Sequence, residues 1–180
     1  NQFYWDQARM LSRRIQQGLE YGPIIEQINR ELLIAVHDFK PDMIWAEKQE
    51  YLKADVLLKI SQLGTRLVHY TPDPYFSLSW KKTKYLDESL SVYDCLITSK
   101  KYEIQEYESV NPNVLYMPLG YSQEVHRPKA PNNRALKKYY TSDVSFIGGW
   151  EPRREEYLSY IKDKLNCKLK VWGYGWDFLI

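Results

Sequence analysis

The chain has 180 residues, 44% of them apolar and 27% charged, a globular composition that excludes disordered, collagenous and low-complexity classes. Its 25 basic and 23 acidic side chains leave a net charge of +2, so nothing in the charge balance forces a nucleic-acid partner. The unusual feature is an aromatic content of 15%, with 16 Tyr and 6 Trp.

In chain order, Ala8, Leu11, Ile15 and Leu19 recur at helical spacing and predict a helix that ends near Gly18 to Gly22. Ile24, Ile28, Leu32, Val36 and Phe39 predict a second helix, with Pro23 near its first turn and Lys40-Pro41 as its stop. Asp42 to Ala46 is a short apolar run of the kind found in buried strands. Leu52, Val56, Ile60 and Leu63 predict a third helix closed by Gly64. Strands are expected at Thr65 to Tyr70, Asp94 to Thr98 and Val114 to Met117, with a helix from about Lys100 to Glu108 before the last. Helix-length segments between strands leave no room for hairpins and predict βα units on a parallel sheet. Because the chain opens on a helix, one or more strands are expected to precede residue 1.

Residues 126–142 are polar and Pro-containing and read as a linker after a domain spanning 1–125. The pattern restarts over 143–180: strand Asp143 to Ile147, Gly148-Gly149, a helix from Pro152 to Leu165 with Tyr157, Ile161 and Leu165 on one face, strand Leu169 to Trp172, and the turn Gly173-Tyr-Gly-Trp176. This is the opening of a second doubly wound domain, expected to be incomplete at Ile180.

Cys95 and Cys167 lie far apart in apolar runs without CxxC or zinc spacing. They predict two buried free thiols in a reducing compartment, hence a cytoplasmic location. The longest purely apolar run, Leu32 to Val36, is too short to span a bilayer, and the first residues lack a signal-peptide pattern.

Ligands of open parallel sheets sit beyond the carboxyl ends of the strands. That rule selects Glu47 and Lys48 after the first strand, Asp73 after the second, Ser99 and Lys100 after the third, and Gly120 and Tyr121 after the fourth. In the second domain it selects Gly148 and Gly149. Two glycines before a helix N-terminus suit a phosphate, and Arg153 and Arg154 in the first turn of that helix would be compensated by an anion. The alternative is that Glu155 and Glu156 pair with them on a solvated face. Asp73, held between Pro72 and Pro74, is a candidate general base or a plain turn residue. His69 lies within a strand and reads as a core residue. His37 and His126 have no ligand neighbours at metal spacing, no Asp-x-Asp occurs, and no metal or cofactor is expected. Trp80, Trp150 and Trp176 are candidates for stacking on sugars or bases, or core residues.

The order of these pieces resembles the CgeB-like, spore-maturation type glycosyltransferases of the GT-B fold. The resemblance runs through Phe39-Lys-Pro-Asp-Met-Ile-Trp45, Leu67-Val-His-Tyr-Thr-Pro-Asp-Pro74, Tyr93-Asp-Cys-Leu-Ile-Thr-Ser99, Met117-Pro-Leu-Gly120 with Arg127-Pro128, Asp143-Val-Ser-Phe-Ile-Gly148 with Arg154 and Leu158, and Trp172-Gly-Tyr-Gly-Trp176. It implies two Rossmann-like domains and metal-independent transfer of a sugar from a nucleotide-diphosphate donor to a sugar, protein or lipid-linked acceptor. By position, Gly148, Gly149, Arg153 and Arg154 would serve the donor phosphates, Asp73 catalysis, and Glu47, Lys48, Ser99, Gly120 and Tyr121 the acceptor side. Two departures stand out. Pro72 replaces the first acid of the family's usual pair, and the late segment that holds the nucleoside is absent, so the 180 residues alone are expected to be inactive. The competing readings are a non-catalytic binding or scaffold module, and a nucleotide-sugar epimerase.

Overall fold

A computed structural model describes residues 10–78, 82–129 and 132–176. The predicted positions Ala8 and Trp80 lie outside these. The chain divides into two compact units, at Tyr121 and Ser122.

The first unit opens with helix α1 (Met10–Leu19) and helix α2 (Pro23–Phe39). The corner between them is built by Gln16. Its Oε1 accepts the Ile24 N–H at 2.9 Å, satisfying a donor that the first turn of α2 would leave orphaned. A Cβ on Gly22, whose φ is 148°, would lie 2.4 Å from the Gln16 side chain, so the corner needs glycine for space as well as for conformation. Lys40 ends α2 in the left-handed region, its N–H bonded to the Val36 carbonyl at 2.8 Å. Ile25, Ile28 and Val36 are buried. Phe39, expected on the same stripe, is 81% exposed, because the periodicity runs past the last turn that reaches the core.

Strands β1 (Met43–Glu47), β2 (Arg66–Thr71), β3 (Cys95–Thr98) and β4 (Val114–Tyr116) form one parallel sheet in the order β1-β2-β3-β4. The register aligns Ile44 with Leu67, His69 with Leu96, and Leu96 with Val114. The crossovers carry helix α3 (Ala54–Gln62), helix α4 (Lys84–Ser89, continued by a 3-10 turn at Leu90–Val92) and helix α5 (Ile104–Val110, preceded by a 3-10 turn at Lys101–Glu103). The result is an α/β unit with a parallel four-stranded sheet, compatible with a Rossmann-like domain. Helix α4 is not among the predicted elements. Thr83 caps it, accepting the Leu86 N–H at 3.2 Å, and it buries Tyr85, Leu86 and Ser89.

The core holds Ile25, Leu57, Ile60, Leu67 and Leu96, all fully buried. Polar side chains tie the loops to it. Asn29 donates to the Ile25 and Tyr51 carbonyls and accepts the Lys53 N–H, each at 2.8 Å. Asn111 donates to the Leu90 and Tyr93 carbonyls at 3.0 and 2.7 Å. These bonds give backbone groups of the loops at Tyr51 to Lys53 and Leu90 to Tyr93 side-chain partners inside the protein.

The second unit contains helix α6 (Arg134–Tyr140), strand β5 (Val144–Ile147), helix α7 (Pro152–Leu165) and strand β6 (Leu169–Trp172). Strands β5 and β6 are parallel, registered from Val144 with Leu169 to Ile147 with Trp172. Helix α6 falls inside the segment read as linker, where the Asn133 side chain caps it by accepting the Leu136 N–H at 2.8 Å. The face of α7 also differs from expectation. Tyr157 and Leu165 are exposed, and Leu158 is the buried residue. The sheet meets the stripe one position along, where Leu158 lines a groove with Leu169, Val171 and Trp176.

Both cysteines are free, but each is half-buried rather than buried. Burial, then the nearby Asp94 carboxylate, pushes the Cys95 thiol up from its ordinary range, which suits an unreactive thiol. No helix among the described residues is long and apolar enough to cross a membrane. Among the same residues no cluster of His, Cys, Asp and Glu could hold a metal ion.

Candidate functional site

The parallel sheet directs the carboxyl ends of β1, β2 and β3 to one edge of the first unit. Just past β1, Lys48 adopts a left-handed backbone with φ 50°, at a cost of about 1 kcal/mol for a residue with a Cβ. Its N–H is fixed to the Tyr70 carbonyl at 3.0 Å. Its ammonium lies 3.0 Å from the Asp73 carboxylate, both side chains being partly exposed. An ion pair so open to solvent contributes little to stability. It does keep the Asp73 carboxylate at a defined place beyond two adjacent strands.

The loop that carries Asp73 is held from three sides. The Ser99 hydroxyl, past β3, donates to the Pro72 carbonyl at 2.8 Å. Thr71 and Asp73 exchange longer bonds of 3.3 Å. The third support is Glu103, which sequence reasoning missed. It is fully buried. One oxygen accepts the Tyr75 N–H at 2.8 Å; the other accepts the Ser77 N–H at 2.8 Å and the Ser77 hydroxyl at 2.7 Å. A lone Glu at the head of a predicted helix gives no sign that its partners sit 26 and 28 residues upstream.

Lys48, Asp73 and Ser99 are thus brought together. Glu47 ends β1 with its side chain exposed, and Gly120 and Tyr121 are exposed beyond β4; no described contact joins these three to the Lys48–Asp73 pair. Lys100 turns its own N–H back to the Thr98 hydroxyl at 3.1 Å.

The pair lines a small recess of about 20 Å³, together with Glu50, His69, Thr71, Pro74, Tyr75 and Leu86. His69 is 1% exposed, as expected of a core residue, and its ring packs against Tyr93 at 5.1 Å. Neither ring nitrogen has a partner in hydrogen-bond geometry. Burial lowers its pKa to about 4, opposed weakly by the Gln49 backbone. The sign of the linkage is then set. The folded protein keeps His69 neutral while the unfolded chain takes up a proton below its ordinary 6.5. Stability is full above that pH, falls as the pH drops from 6.5 toward 4, and loses roughly 3 kcal/mol from this group. Urea unfolding of wild type and His69→Leu at pH 7 and 4.5 measures it. The variant is expected to show a smaller acid loss, and equal losses in both proteins would refute the assignment.

In the second unit, the loop after β5 is tied to the turn after β6. Gly148 N–H donates to the Trp172 carbonyl at 2.9 Å, and Trp150 N–H to the Tyr174 carbonyl at 2.8 Å. The Gly148 carbonyl accepts Trp176 Nε1 at 2.8 Å, and the Gly149 carbonyl accepts Arg154 Nη1 at 2.8 Å. Arg154 also pairs with Glu151 at 2.9 Å. Arg153 leans on Tyr157, its Nε 3.2 Å from the hydroxyl. Of the acids expected to pair with these arginines, Glu155 accepts Trp150 Nε1 instead, at 2.8 Å. Trp176 is buried and reads as a core residue, whereas Trp150 is 40% exposed. The glycines therefore serve a close approach of backbone to backbone, with Gly148 N–H already used.

Comparison with protein-family models and with curated proteins finds no match for this chain.

Proposed function

We propose that the chain belongs to a glycosyltransferase that moves a sugar from a nucleotide-diphosphate donor, with the first unit on the acceptor side and the second on the donor side. The observation that supports this reading is the Lys48–Asp73 pair at 3.0 Å, set beyond the carboxyl ends of adjacent parallel strands where α/β sheets bind ligands. Asp73 is the base that would take the proton of an acceptor hydroxyl. Arg154, at the start of α7, would stabilise the departing diphosphate by exchanging its Glu151 contact for phosphate oxygens.

The test joins this chain to a complete second domain, since the 180 residues alone are expected to be inactive, and incubates that protein with nucleotide-diphosphate sugars, with release of the nucleoside diphosphate as readout. Asp73→Asn is expected to lower turnover about 100-fold, near 2.7 kcal/mol of barrier, with donor binding unchanged. Absence of both donor binding and donor cleavage would end this reading.

A second reading is a non-catalytic binding module on the same architecture. It is favoured by the Gly148-Gly149 loop, whose Gly148 N–H and two carbonyls are committed to Trp172, Trp176 and Arg154. In that case Asp73→Asn and Arg154→Ala leave function intact.

A further inference from the structure

The second unit carries a basic surface that the proposed chemistry does not use. From Val125 to Ser142 the sequence holds Arg127, Lys129, Arg134, Lys137 and Lys138 and no acidic residue. Within this stretch α6 is sharply two-sided. At about 100° per residue, Arg134, Lys137 and Lys138 fall on one side, and Ala135, Leu136, Tyr139 and Tyr140 on the other. All seven residues are exposed.

Contacts fix α6 against β6. Tyr140 lies 6.4 Å from the Trp172 ring. Lys170 sits over the Tyr139 ring at 5.3 Å and donates to the Lys138 carbonyl at 3.3 Å. This sheet contact adds a fourth cation, on the Tyr139 side of the helix. Leu136, Tyr139 and Tyr140 nevertheless keep 41%, 56% and 55% of their surface open. Cations flanked by partly open Leu and Tyr side chains match the chemistry of a lipid headgroup layer, where the charges meet anionic phosphates and amphipathic rings settle at the boundary.

We propose that the surface formed by α6 and Lys170 binds an anionic lipid membrane. The aromatic geometry favours lipid over nucleic acid. Tyr139 and Tyr140 meet edge to face at 5.0 Å and are engaged by Lys170 and Trp172, so their rings are not stacking platforms for bases. The inference is independent of the transferase reading.

The test is co-sedimentation of the full chain with vesicles of phosphatidylserine and phosphatidylcholine, against vesicles of phosphatidylcholine alone. Binding is expected only to the anionic vesicles, and rising salt is expected to release it. The triple variant Arg134→Glu, Lys137→Glu, Lys138→Glu alters exposed residues only, and circular dichroism verifies that it folds. It is expected to bind about 100-fold more weakly, at roughly fivefold per cation removed. The triple variant Lys101→Glu, Lys162→Glu, Lys164→Glu makes the same change in charge elsewhere and is expected to bind as wild type. Equal losses in the two variants, equal binding to both kinds of vesicle, or tighter binding to single-stranded RNA than to anionic vesicles would each overturn the proposal.

Discussion

Replacing Glu103 by Ala is expected to cost about 4 kcal/mol of stability, because a buried carboxylate with three bonds is a stronger fastener than any surface ion pair here. Removal leaves the Tyr75 and Ser77 N–H groups and the Ser77 hydroxyl without the oxygens they now meet at 2.7 to 2.8 Å. The loop can recover these bonds only by opening to water, which exposes Tyr75, now 3% exposed and donating to Asp87 at 2.7 Å. Glu103→Gln keeps one carbonyl oxygen but turns an NH₂ toward the other donors, so about half the loss is expected. Urea midpoints give the free energies. Amide exchange gives the location, with protection lost at Tyr75 and Ser77. A loss below about 1 kcal/mol, or unchanged protection at those amides, would show that the loop has other anchors. The same variant is a functional probe, since Asp73 stands two residues before Tyr75. A loosened loop would weaken any reaction that needs the Lys48–Asp73 geometry even though both residues remain.

Gly173→Ala is the corresponding lesion in the second unit. Gly173 has φ 143°, and a Cβ there would lie 2.0 Å from the Gly148 carbonyl oxygen. That neighbour is backbone, fixed by Trp176 Nε1 on its oxygen and by Trp172 through its N–H, so it cannot swing aside as a side chain would. The expected cost is about 4 kcal/mol. Gly148→Ala makes a useful contrast. Its Cβ would meet the Phe146 ring at 2.9 Å, and a ring can turn, so about 1–2 kcal/mol is expected. Hydrogen exchange reads the outcome. Amides of β5 and β6 should lose protection in Gly173→Ala while those of β1 to β4 keep theirs. Loss across both sheets would contradict the division at Tyr121.

The behaviour of these glycines bears on how the candidate site was legible. Gly148-Gly149 before a helix with two arginines has the composition of an anion loop, and residue types alone favour that reading. In three dimensions the Gly148 N–H and the two glycine carbonyls meet Trp172, Trp176 and Arg154. The hydrogen bond from Trp176 Nε1 spans 28 residues, a separation that local pattern does not encode. Asp73 is legible because Pro-Asp-Pro after a strand marks a turn at a carboxyl end. Its partner Lys48 is legible only as a position after a strand, not as a residue with a left-handed backbone aimed at Asp73. Helix α6 is hidden because a polar, Pro-containing stretch reads as linker, although Asn133 three residues before Leu136 is a capping signal.

By itself, the sequence determines the alternation of helix and strand, the parallel pairing that follows from it, and the place of His69 in the core, since period and length are local properties. Tertiary structure alone decides which stripe of α7 faces the sheet, that Glu103 holds the Asp73 loop, and that the glycine loop is packed against the turn after β6. Each depends on groups distant in sequence meeting at bonding distance, where desolvation makes an unmet partner costly and so selects one arrangement.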